Sequence, residues 1–209
     1  MINTLIFDLD MTLVDSLAAC ARGANLLANR LGLRPVTEAE VLQTISLSTP
    51  DFWRAIWGRS QPEWMDCFVQ EILPSLTEKI TIYPGVEEFL SVARSRGYLL
   101  AVATNRSHPW IDLASLGLAK YFDTVVGISE VARPKPDPDI LLTVLKNFGQ
   151  TCDEAIYFGD SISDMEAARA AGIKGLGLLQ GGVTAEELTK AGAWMTRANL
   201  PACRDLFNF

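Results

Sequence analysis

The chain has 209 residues, 49% apolar and 21% charged, enough for one good core or a core plus a small added domain, and its formal net charge is −7. That balance, with no long basic run, excludes nucleic acid or an anionic membrane as main partner, and no apolar stretch reaches the length of a membrane span. The four scattered cysteines, Cys20, Cys67, Cys152 and Cys203, have no metal-ligand spacing and read as reduced thiols of a cytoplasmic protein, while the single histidine, His108, leaves no room for a His-based metal site or a Ser-His-Asp triad.

A core strand is expected by about residue 4, which leaves no space before it for a signal peptide. Its apolar run, Leu5-Ile6-Phe7, ends in Asp8-Leu9-Asp10. A strand points alternate side chains to one face, so Asp8 and Asp10 can aim at one point. Two like charges held close disfavour each other's ionisation, and the usual remedy is a cation or a proton. From Leu17 to Leu31 apolar residues recur at helical spacing, with Ser16 as N-cap and Gly32 as stop. Thr37 and Glu40 form a capping-box pattern for a helix through about Ile45, and 46–50 reads as a loop. Helices are expected over 51–57 and 62–73, so residues 16–79 read as an all-helical insert, with Trp53, Trp57 and Trp64 as its small core.

Near Lys79 the pattern changes. An extended segment precedes Pro84-Gly85, and a helix follows over 86–96. Tyr98 to Ala103 is a continuous apolar run, as in a strand buried on both faces, and it ends in Thr104-Asn105. Helices are expected over 110–116, 138–148, 165–171 and 185–191. They alternate with strands over 124–127, 155–158 and 174–179 and a last short strand near Trp194-Met195. Such alternation indicates a doubly wound parallel α/β sheet, whose ligands bind beyond the carboxyl ends of the strands. The expected organisation is a core of residues 1–15 and 80–209 with a helical cap domain, 16–79, inserted after the first strand.

Asp8, Asp10, Thr104, Asn105, Asp160 and Asp164 should therefore meet at one sheet edge, joined by Lys135 from a proline-rich loop. Hard oxygen ligands without histidine or thiolate suit Mg²⁺. An ammonium, a hydroxyl, backbone N–H groups and Mg²⁺ together suit a phosphoryl group. Asp160 and Asp164, four apart at a helix start, are expected on one face, and Gly159 is expected to let the backbone approach the metal. His108 reads as a helix-entry residue before Pro109, and Arg54 or Arg59 could read a substrate carboxylate.

Asp8-Leu9-Asp10-Met11-Thr12, Thr104-Asn105, Lys135-Pro136 and Gly159-Asp160-Ser161-Ile162-Ser163-Asp164 resemble, in order, the four motifs of the haloacid dehalogenase superfamily. Leu13 to Ser16, Arg133 to Pro138 and Ala167 to Gly172 resemble its phosphoglycolate phosphatase-like branch. The resemblance implies a phosphatase of small phosphorylated metabolites with Asp8 as nucleophile and Asp10 as general acid and then base. It implies that Thr104 and the backbone near Asn105 hold a phosphoryl oxygen and that Lys135 neutralises charge. It further implies Mg²⁺ held by Asp8, the Asp10 carbonyl and Asp160, with Asp164 as a ligand or as holder of a metal-bound water and Lys135. Monomer and homodimer both fit.

Met11 stands where the family usually has glycine, and its side chain is expected to line the mouth of the site. Ser46 stands where the branch has glycine, and Thr49 where the phosphosugar mutases carry arginine. A dehalogenase has no use for an acid at Asp10. A signalling receiver domain carries its phospho-aspartate later in the chain. A phosphosugar mutase, a pyrophosphatase and a silent phosphate-binding relative remain the alternatives.

Overall fold

Leu5, Ile6 and Phe7 are fully buried because β1 (Thr4–Phe7) lies inside a sheet with neighbours on both sides. The computed structural model describes residues 1–76 and 80–207. The chain divides into two compact units, Met1–Val14 with Ile82–Phe209, and Asp15–Thr81. It leaves the first at the short strand β2 (Val14–Asp15).

The second unit is helical. α1 (Leu17–Leu31), α2 (Glu38–Leu42), α3 (Thr49–Trp57) and α4 (Pro62–Cys67) follow in order, and α4 widens into a π-type turn over Phe68–Ile72. Among the described residues it holds no strand between 16 and 76; the expected end of the insert at 77–79 lies outside the described residues. The capping box of Thr37 and Glu40 forms, but α2 stops at Leu42, short of Ile45. α3 begins earlier than expected because Ser48 caps it and Pro50 fits its first turn, where no N–H is needed. Trp53 and Trp64 are buried with ring centroids 5.9 Å apart, and Trp57 meets Trp64 at 5.8 Å. Arg54 is paired with Asp51 at the exposed surface, and Arg59 lies over the Trp64 ring.

β3 (Thr81–Ile82) returns the chain to the first unit. Then follow α5 (Val86–Ser95), β4 (Leu99–Ala103), α6 (Pro109–Ser115), β5 (Thr124–Val126) and α7 (Asp139–Phe148). The remainder is β6 (Ala155–Gly159), α8 (Ile162–Ala171), β7 (Lys174–Leu178), α9 (Ala185–Ala191) and β8 (Met195–Arg197). Six strands form one parallel sheet in the order β5-β4-β1-β6-β7-β8. The chain builds outward from β1 on one side and then crosses to build the other. The strand order therefore reverses at β1, and the crevice for a ligand lies beyond its carboxyl end.

Alternation along the strands sends Phe7 and Phe158 to one face, where they stack 4.8 Å apart beside Phe89. Ile6, Ala101 and Tyr157 point to the other face, against Ile140, Val144, Ala167 and Ala168 of α7 and α8. The small side chains of α8 let it lie close to the sheet, as its alanine pattern predicts.

Candidate active site

β1 does not end at Phe7 in its hydrogen bonding: Asp8 still donates its N–H to the Phe158 carbonyl at 2.8 Å. The chain then turns tightly, with Leu13 and Val14 both donating to the Leu9 carbonyl and Met11 to the Val14 carbonyl. Asp8 and Asp10 leave this loop at the carboxyl edge, beside Thr104 and Asn105 after β4 and Asp160 after β6. These five, with Lys135 and Asp164, are the seven residues singled out from the sequence, and all are buried.

Each of the two N-terminal carboxylates has its own cation. Lys135 Nζ donates to Asp8 Oδ1 at 2.8 Å, to Asp164 Oδ1 at 2.7 Å and to the Tyr157 hydroxyl at 2.9 Å. The Tyr157 hydroxyl itself lies 2.8 Å from Asp164 Oδ1 and 3.1 Å from the Ala103 carbonyl, so its one proton serves one of them. Asn105 sets the Lys135 loop: its Oδ1 accepts the Lys135 N–H at 2.9 Å and its Nδ2 donates to the Lys135 carbonyl at 3.2 Å. Its side chain is thus turned to the lysine backbone, and the Thr104 hydroxyl accepts the Arg106 N–H at 3.4 Å.

Asp10 meets Arg106. Nε donates to Oδ2 and Nη2 to Oδ1, both at 2.7 Å, while Nη1 donates to Asp112 Oδ2 at 2.8 Å.

Asp160 and Asp164 do not converge by sharing a helix face. Asp160 precedes α8, and Asp164 is its third residue. They meet because Asp164 Oδ2 accepts the N–H groups of Asp160 and Ser161 at 3.2 and 3.0 Å and the Ser161 hydroxyl at 2.6 Å. Gly159 is required by this turn: a Cβ there would lie 2.5 Å from the Asp164 side chain. Asp160 Oδ1 accepts from Thr12 Oγ1 at 2.9 Å, and a Cβ on Gly181 would lie 1.9 Å from Oδ2.

Asp8, Asp160 and Asp164 each offer a carboxylate oxygen, and these lie within 4.8 Å of one another. Burial and the neighbouring Asp164 and Asp10 charges push Asp8 up to about 7, although Lys135 opposes them. Burial, with Asp164 and Asp8, raises Asp160 well above the carboxylate range. Asp164 is held below that range: burial works against it, but Lys135, Ser161 and Tyr157 prevail. Burial alone would lower Lys135, and Asp164 and Asp8 together raise it. Lys135 is therefore charged, and still too little positive charge for three carboxylates. A buried oxygen cluster short of cation fits a hard divalent ion. Asp8 and Asp160 suit direct ligation; both Asp164 oxygens are already engaged, which suits it to holding Lys135 and the turn.

Met11 does not line an open mouth as expected. It is 4% exposed, and its sulfur accepts from the Tyr83 hydroxyl at 3.8 Å. Its φ of 56° explains why glycine is the usual residue there. Met11→Gly relieves about 1 kcal/mol of backbone strain but removes a buried side chain worth about 2–5 kcal/mol. The expected result is a net loss of about 1–4 kcal/mol in denaturant unfolding; equal or greater stability in the glycine variant contradicts this.

Arg106, Tyr157 and Thr12 contact the site residues but were assigned no role from the sequence. A cation directly after Thr104-Asn105, and a lone phenol inside an apolar strand that must find a partner for its hydroxyl, were the signals available.

Residues 5–178 match the sequence model of the Haloacid dehalogenase-like hydrolase family. The chain belongs to that family. Among curated members, the phosphoglycolate phosphatase of Salmonella typhi is 31% identical over 207 residues, covering 86% of this chain and 82% of the relative. That of Pseudomonas fluorescens (strain Pf0-1) is 29% identical over 188 residues, covering 85% and 69%. This haloacid dehalogenase-like chain thus lies in the phosphoglycolate phosphatase-like branch. A hydrolase from Pseudomonas syringae superposes with a TM-score of 0.85 at 26% identity, covering 100% of this chain and 98% of that one. A HAD-superfamily hydrolase from Geobacter sulfurreducens superposes with a TM-score of 0.76 at 25% identity, covering 99% and 100%.

Proposed function

We propose that the chain hydrolyses a small phosphate monoester with Mg²⁺ through a phosphorylated Asp8. The broader class is a phosphatase, a phosphoric monoester hydrolase, as its family and curated relatives indicate. The observation that carries the finer reading is the Lys135 ammonium, buried and shared between Asp8 and Asp164 beside a carboxylate cluster that fits a divalent cation.

In this reading an Asp8 oxygen attacks phosphorus, the ester P–O bond breaks, and the leaving alkoxide takes a proton from Asp10. Asp10 then takes a proton from water, whose oxygen attacks phosphorus and frees Asp8 and inorganic phosphate. Lys135 stabilises charge on Asp8 and the phosphoryl oxygens, and Thr104 with the backbone near Asn105 holds one of those oxygens. Asp8, the Asp10 carbonyl and Asp160 would hold Mg²⁺, with Asp164 behind them. When bound, Mg²⁺ supplies positive charge to the transferring group.

The relatives' names make phosphoglycolate the first substrate proposed. Four unpaired cysteines support a reducing, cytoplasmic setting, and no helix among the described residues is long and apolar enough to cross a membrane. A monomer or a homodimer is proposed. The test is hydrolysis of a phosphate-ester panel with and without Mg²⁺: phosphate release that needs Mg²⁺ is expected, and no turnover of any ester contradicts the reading.

Mg²⁺ must displace protons from this cluster, which sets a pH dependence. A carboxyl whose folded pKa is raised contributes stability below its unfolded value, about 4, and loses it as pH rises through the folded one. For metal-free Asp8 that window ends near 7. Mg²⁺ should therefore raise the melting temperature little at about pH 5 and clearly at about pH 8. An equal shift at both contradicts the assignment of these carboxylates to the metal.

A further inference from the structure

Arg106 stands directly after the residues read as the phosphate-holding pair, yet its guanidinium is turned to Asp10. The pairing is bidentate, with one N–H on each carboxylate oxygen. An exposed ion pair of this kind would mean little. Here the Asp10 side chain is 9% exposed and that of Arg106 24%, and the third edge of the fork is fixed by Asp112. The arginine backbone is fixed as well. Its carbonyl accepts the Ile128 N–H at 3.0 Å, its N–H reaches Thr104 Oγ1 at 3.4 Å, and Gly127 passes so close that a Cβ would lie 2.5 Å from the Arg106 carbonyl oxygen. Nothing in the chemistry attributed to the family motifs uses this side chain.

A carboxylate on a short loop can swing about its last torsion, and a single hydrogen bond would not stop it. A planar two-point fork does. The fork places one N–H on each oxygen, and a carboxylate has about four acceptor sites, so two-point pairing does not by itself exhaust them. The three residues after β4 thus divide the work. On the phosphatase reading Thr104 holds a phosphoryl oxygen, Asn105 fixes the Lys135 backbone, and Arg106 sets Asp10.

We propose that Arg106, braced by Asp112, is a positioning residue that orients Asp10 for proton transfer to the leaving group. This rests on the phosphatase reading above. Proton donation matters for an alkoxide and hardly for a nitrophenolate, which departs unprotonated. Misplacement of the acid should therefore be selective between these leaving groups, whereas damage to the fold should not be.

The experiment compares kcat/KM for a simple alkyl phosphate and for nitrophenyl phosphate in the wild type, Arg106→Ala, Arg106→Lys and Asp112→Asn. Arg106→Ala should lose about 10²-fold on the alkyl ester and less than about 5-fold on the aryl ester. Arg106→Lys should recover part of the alkyl rate, and Asp112→Asn should show a smaller loss with the same preference. Equal losses on both esters, or none, in the alanine variant overturn the proposal, and so does an Asp112→Asn loss without leaving-group preference. Should Arg106→Ala fail to fold, the lysine and Asp112→Asn variants decide in the same way. A wild type that hydrolyses neither ester overturns the phosphatase reading and this inference together; a wild type that hydrolyses both, with an indifferent Arg106→Ala, overturns this inference alone.

Discussion

Asp8→Asn lowers kcat by at least about 10⁴-fold while leaving a folded protein. The amide keeps the shape of the side chain and removes the nucleophilic oxygen. The fold should tolerate the change because the ionised carboxylate is disfavoured where it stands: burial, Asp164 and Asp10 all push Asp8 upward. Removing that charge leaves Lys135 still bonded to Asp164 and the Tyr157 hydroxyl. The metal-free melting temperature at about pH 8 should therefore stay within about 4 °C of the wild type. Full activity in this variant contradicts the mechanism, and a collapse of the fold contradicts the account of the Asp8 environment.

Lys135→Ala is expected to have the largest effect on stability. The ammonium is buried with Asp8 and Asp164, and removing one member of a buried ionic group leaves uncompensated charge, typically at a cost of about 3–5 kcal/mol. For a domain of this size that is roughly 10 °C in melting temperature near pH 8. The deficit should shrink on acidification, and the sign is fixed. Without the lysine, the folded pKa values of Asp8 and Asp164 rise, so their adverse contribution is absent below about pH 4 and grows as pH increases. Melting the metal-free variant and wild type at about pH 5 and about pH 8 tests this; a deficit independent of pH contradicts the charge argument. Activity should fall by about 10²–10³-fold as the transferring phosphoryl loses its fixed cation.

Much of the core was legible in the residues because each short motif follows an apolar run. Leu5-Ile6-Phe7, Leu100 to Ala103 and Ala155 to Phe158 are buried strand segments, and parallel topology brings their carboxyl ends together. Local signals placed Asp8, Thr104 and Asp160 at that edge for this reason, while Lys135 comes from a proline-rich loop between β5 and α7. Pairings between loops were not legible. Arg106 and Asp10 lie 96 positions apart, and nothing local states which carboxylate a cation will meet. Tyr157 hides in an apolar strand until the Lys135 loop folds over its hydroxyl. Met11, expected at the mouth of the site, is buried instead, with its sulfur near the Tyr83 hydroxyl, a contact 72 positions away that no local pattern states. α3 starts ahead of the expected residue 51 because a proline that suggests a loop is accepted in the first helical turn.

The proposed reaction passes through a covalent bond between Asp8 and phosphorus. A single-turnover reaction with a labelled phosphate ester and Mg²⁺, quenched in acid and mapped by peptide mass, tests it most directly. One phosphoryl group is expected on the peptide containing Asp8, absent in Asp8→Asn. Phosphate release in the wild type at full rate with no such adduct, or with the adduct on another residue, would contradict it.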